Sequence, residues 1–148
     1  MKTIFNDNTR QEVISRIQKL DENSEALWGK MNICQMLKHC IRAEEMYLGN
    51  VQYNRTILGY LIGRIALKGI MKDDKPLHKN APTSSHFKIA ETTGHVQEDK
   101  LKWVALIEDY AKYPNQGLMH WFFGKMTKEQ VGHFVYKHAD HHLRQFNC

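Results

Sequence analysis

Near the C-terminus, in the run Tyr136–Phe146 (YKHADHHLRQF), His138 and His142 stand four residues apart. On a helix this spacing stacks both imidazoles on one face, close enough to grip a single cation. Laid out at about 100° per residue, Val131, Phe134, Val135 and Phe146 share one side, with the two histidines in the middle of that stripe. Glu129, His133, Lys137, Asp140 and Arg144 fall on the other side. An imidazole buried without a polar partner is costly, and one metal ion would serve both. The plainer alternative is a pair of core histidines with ordinary hydrogen-bond partners. His141, three residues after His138, also competes for the second position. The stretch alone supplies no third ligand.

The elements that must hold this pair are helical. Asn8 or Thr9 can cap a first helix over Arg10–Glu22, where Val13, Ile14, Ile17 and Leu20 recur at helical spacing. After Trp28–Gly29 a longer helix is predicted over Asn32–Leu48, closed by Gly49–Asn50. Its apolar arc takes in Ile33, Met36, Leu37, Cys40, Ala43 and Tyr47. His39 lies at the edge of that arc, where an exposed boundary histidine is the simple expectation. Glu44 projects near the middle and needs a partner there, either a ligand histidine that it orients or an arginine.

Thr56–Met71 is apolar and helical in length, although three glycines weaken it. Gly59 and Gly63 favour close packing, while Arg64 and Lys68 leave a membrane-surface role as the lesser reading. Lys72–Thr93, with Pro76 and Pro82, is a long loop of the kind that often lines a site, and His78 and His86 in it are expected to face solvent. Gly94–Lys112 is a further helix, with Val96, Trp103, Ile107 and Tyr110 on one side. Tyr113–Met126 is a second loop, carrying His120, Trp121, Phe122 and Phe123. Thr127 and Gln130 form a capping box that starts the last helix. No strand alternation is evident, so the expected class is all-α: a single helical-bundle domain over 1–148.

The chain has 148 residues, 42% hydrophobic and 25% charged, which suits one globular domain with a sizeable core. No apolar run approaches the roughly 20 residues that span a bilayer, and the N-terminus turns polar too soon for a signal peptide, so a cytoplasmic location and no stable membrane insertion are expected. The net charge of +5 is spread without a dense basic run, against nucleic-acid binding. Three cysteines, Cys34, Cys40 and Cys148, lack C-x-x-C spacing and read as plain thiols. No nucleophile elbow, glycine-rich phosphate loop or paired-carboxylate motif offers another chemistry.

Three stretches together resemble the DinB-like superfamily of metal-binding four-helix bundles, and specifically a subgroup whose members mostly lack an assigned reaction. They are WGKMNICQMLKHC (Trp28–Cys40), KPLHKNAPT (Lys75–Thr83) and HWFFGKMTKEQVGHFVYKHADHHLRQF (His120–Phe146). The resemblance runs over nearly the whole chain, and the closing K-H-x-D-H-H-L-R-Q-F is its most specific part. It implies an up-down-down-up four-helix bundle with an extra short helix and two long loops, and homodimers in many members. It implies His39, His138 and His142 as ligands of a divalent metal: Zn or Ni first, with Fe, Mn or Cu as alternatives. Similar proteins include transferases using bacillithiol, mycothiol or glutathione. The expected activity is therefore metal-dependent thiol transfer or a related hydrolysis, with a small-molecule substrate and a low-molecular-weight thiol as partners. A non-catalytic metal- or ligand-binding stress-response bundle is the competing expectation. His120 and Trp121 are expected along the pocket wall, and His141 either as a proton shuttle or in a surface or supporting role. The pattern departs at two positions: Trp121 where relatives tend to have proline, and Val131 where they have tryptophan. Substrate preference is what those positions bear on.

Overall fold

Asn6, not Asn8 or Thr9, starts the first helix: its side-chain oxygen accepts the Thr9 backbone N–H, the usual N-cap bond. The computed structural model describes all residues, Met1–Cys148. Its helices are α1 (Asp7–Gln18), α2 (Ile33–Tyr47), α3 (Ile57–Ile70), α4 (Val96–Asp109) and α5 (Lys128–Gln145), with 3-10 turns at Ser85–Phe87 and Tyr110–Lys112. The molecule is thus mostly helical. Capping boxes open two of these helices, Asn32 with Gln35 on α2 and Thr127 with Gln130 on α5.

The first helix stops at Gln18, short of the expected Glu22. A buried lysine from another helix receives its end: Lys100 Nζ on α4 donates to the Gln18 carbonyl at 2.9 Å and also to that of Leu20. A cation suits the exposed carbonyls of a helix C-terminus. Lys137 does the same for α3. The wheel put Lys137 on the polar side, yet it is buried, and its Nζ donates to the carbonyls of Ile70, Asp73 and Lys75.

Helix α2 packs against α4 and α5, and α1 packs against the same two. Between them lies one cluster of 30 buried residues, which includes Val13 and Ile17 of α1, Met36, Leu37 and Cys40 of α2, Trp103 and Ile107 of α4, and Val135 and Leu143 of α5. The three cysteines are free thiols.

The loop Tyr113–Met126 contains strands that sequence reading missed. Leu118–His120 (β1) and Gly124–Met126 (β2) pair antiparallel, with Leu118 opposite Met126 and His120 opposite Gly124. Strands of three residues are too short to show a two-residue alternation. Gly124 sits at φ +77, where a side chain would be strained.

Helix α3 packs on this hairpin with its small residues inward. A Cβ added at Gly59 or Gly63 would run into the Phe122 backbone. The two glycines therefore do permit close approach, but to a hairpin rather than to another helix.

Candidate metal centre

His39 on α2 and His138 and His142 on α5 bring their ligand nitrogens within 4.8 Å of one another, a grouping that could hold a metal ion. His39 and His142 are buried. His138 keeps part of its surface accessible, although its Nδ1 is sealed from solvent. The wheel left His39 at the edge of its arc; Phe87, in the 3-10 turn of the long loop, covers it. The Phe87 carbonyl lies 3.0 Å from His39 Nδ1. A carbonyl only accepts, so Nδ1 carries the proton and Nε2 presents its lone pair.

The same logic fixes His142. Gln145 Nε2 donates to the Trp28 carbonyl at 2.7 Å, which turns its oxygen toward His142 Nδ1 at 2.9 Å. Nδ1 of His142 is then the donor and its Nε2 is the free acceptor. Gly29 makes the approach possible: at φ +84, a Cβ there would lie 2.6 Å from Gln145 Nε2.

All three rings are held neutral. Burial pushes His138 and His142 well below the usual histidine range, and the neighbouring histidines add to it. His39 is lowered mainly by burial, against the pull of the Phe87 carbonyl. Neutral imidazole is the form that ligates a metal.

His39 Nε2 and His138 Nε2 stand 3.2 Å apart. Nitrogens about 2.0–2.1 Å from a tetrahedral zinc are separated by about 3.3 Å, so the spacing suits two ligands of one ion. A hydrogen bond between the two rings also fits 3.2 Å. It would require His138 to donate from Nε2, which leaves a bare buried acceptor at its Nδ1, where no partner exists. Either tautomer thus leaves Nδ1 unpaired, and that ring is set by packing: Phe134 stacks 6.3 Å from it and Tyr47 meets it edge-on at 5.7 Å.

The remaining expected residues lie outside the triad. Glu44 is fully buried and serves neither a histidine nor an arginine, contrary to both expected roles. It accepts from Tyr110 Oη at 2.5 Å and from Trp103 Nε1 at 3.4 Å, and burial raises its pKa to about 7. The two donors arrive from α4 and its following turn, which a wheel of α2 alone could not show.

His120 is buried, and burial lowers its pKa to about 3. Its Nδ1 accepts the Phe122 and Phe123 backbone N–H groups, both at 3.1 Å, so it holds the hairpin turn. It touches the site through two other rings: Tyr47 stacks 6.0 Å from it and Phe134 lies 5.9 Å away, and both face His138. Trp121 reaches His39 through Phe87 in the same indirect way, at ring distances of 5.9 and 6.2 Å. His141 is half-buried with its pKa lowered by burial, its ring 5.0 Å from His142 and 5.9 Å from Trp28. His78 and His86 are exposed, as expected.

Sequence reasoning missed Gln145, Tyr47 and the Phe87 carbonyl. Gln145 had a signal, three residues after His142 on the same face. A backbone carbonyl in a long loop has none.

Two surface hollows of 640 and 310 Å³ lie elsewhere, and neither is lined by any of the three histidines. No curated protein and no solved structure matches this chain. A family model does match, over residues 5–148, and its description is protein of unknown function (DUF1569). With nearly its whole length covered, the chain belongs to the DUF1569 family.

Proposed function

We propose that this protein is a DinB-like four-helix bundle that holds a divalent ion, zinc or nickel foremost, on His39, His138 and His142 and works as a metal-dependent thiol transferase or related hydrolase. The observation that carries the reading is the orientation of the histidines. Two of them are hydrogen-bonded through Nδ1 to carbonyl-type oxygens, which only accept, and this points both Nε2 lone pairs away from those supports. The packing of α1 and α2 against both α4 and α5 supports a bundle of those four, with α3 as the extra helix. When bound, an ion with three imidazole ligands supplies an open position that lowers the pKa of a water or a thiol.

The protein's own groups have separate tasks. Phe87 and Gln145 hold two ligand rings in the right tautomer, and the low histidine pKa values keep those rings unprotonated. His141, at the half-buried margin beside His142, is placed to carry a proton outward. Tyr47, directly against His138, and Trp121, one ring removed from His39, flank the ligands.

One observation favours the non-catalytic alternative, a bundle that only binds a metal or small ligand: His39 and His142 are buried, which limits access to the ligand nitrogens. Elemental analysis of the purified protein, followed by a transfer screen with bacillithiol, mycothiol and glutathione, separates the readings. Stoichiometric divalent metal with thiol transfer is expected; metal without transfer leaves the binding-only bundle, and no metal removes the enzyme and leaves only a bundle that binds a small ligand. Gln145→Leu, which deletes the support of His142, is expected to weaken metal affinity by about 10–100-fold in a competition titration.

A further inference from the structure

Helix α3 is built inside out. Its inward residues are Gly59, Gly63 and Leu67, while Ile57, Leu61 and Ile65 are 82%, 72% and 73% exposed. Leu58, Tyr60 and Ile62 extend the same outward face. Soluble helices turn their apolar side to the core, and a contiguous exposed patch of this kind marks an interaction surface.

The charge around the patch indicates what covers it. No acidic residue occurs in α3, whereas Arg64 and Lys68 do. Beside it lies the 640 Å³ hollow, lined by Arg55, Arg64, Lys125 and Lys128 and by no carboxylate. Patch and hollow are continuous: Arg64 belongs to both, and the Arg55 guanidinium lies 3.9 Å from the ring of Tyr60. Met119 lines the hollow and is 60% exposed. An apolar strip next to a recess whose charged side chains are all cationic is complementary to acyl chains beneath anionic headgroups. A second copy of the chain would instead bring the same acid-free helix and recess to the seam.

We propose that the outward face of α3 and the cationic hollow beside it dock this protein onto an anionic lipid surface, with the helix lying in the plane of the interface. No helix is long and apolar enough to cross a membrane, so the contact is peripheral. The proposal is independent of the metal site.

Flotation with vesicles of phosphatidylcholine alone, or of phosphatidylcholine with phosphatidylserine, tests it on the full chain, together with light scattering of the free protein. Binding is expected to the serine-containing vesicles and not to the neutral ones, and to fall with added salt. The double variant Leu61→Glu, Ile65→Glu is expected to lose at least about tenfold in partitioning. Lys68→Ala and Lys125→Ala are each expected to cost about fivefold. These side chains are exposed, and an unchanged circular dichroism spectrum confirms folding of each variant. Equal binding to both vesicle types overturns the proposal, as does no binding to either. It is also overturned if the wild type is a dimer that Leu61→Glu splits, or if the protein binds soluble glycerol phosphate but no vesicle.

Discussion

His138→Ala and His142→Ala are each expected to abolish stoichiometric divalent metal, while His133→Ala leaves it unchanged. All three sit on α5, so any general effect of losing a histidine from that helix is shared. They differ in direction: His133 Nδ1 faces the Lys2 carbonyl at 2.9 Å and its Nε2 lies 3.6 Å from Glu129, at the surface. His138 and His142 meet His39 instead, at ring-centroid distances of 5.3 and 4.7 Å. Removing one of three nitrogen ligands costs more than the roughly 10–100-fold lost with a supporting hydrogen bond. Elemental analysis after dialysis reads the result, with circular dichroism to confirm that each variant is folded. Equal metal content in all three proteins sinks the site.

Glu44→Gln is expected to remove a pH dependence of stability that runs opposite to that of the histidines. The folded pKa of Glu44 is raised by burial to about 7 from an ordinary value of 4.5. Between those two values the unfolded chain releases the proton and the folded one keeps it, so stability falls as pH rises. The full effect is about 3 kcal/mol, developed by pH 7 and absent below pH 4.5. The buried histidines have lowered folded pKa values, so their contribution falls as pH drops below the ordinary histidine range. Wild type and variant share that histidine contribution. The difference between their denaturant midpoints, measured with a chelator present, should therefore grow in favour of the variant from pH 4.5 to 7. A difference that stays flat with pH refutes the assignment of Glu44 as a buried acid that stays protonated up to neutrality.

Much of the scaffold was legible because it is local. The apolar periodicity of α2, the capping box at Thr127, and the histidine pair on α5 all depend on residues within a turn or two of each other. What was not legible depends on chain segments far apart. His39 reads as a boundary residue until Phe87, from a loop 48 positions later, settles on it. Glu44 reads as an unpaired acid until Tyr110 and Trp103 arrive from α4 and its end. Lys137 reads as a surface cation, yet it proves to be buried against the carbonyls of another element, as does Lys100. The hairpin escaped because its strands are shorter than the pattern that would announce them.

Lys137 also has a mechanical consequence. Its ammonium is fastened to the Ile70 carbonyl at the end of α3 and to two carbonyls of the turn beyond, while its backbone is peptide-bonded to His138. A pull on α3 is thus delivered within one residue of a ring of the candidate metal centre. Lifting α3 away from the body would first have to unseat that ammonium, and α5 would register the tug where its two imidazoles point inward.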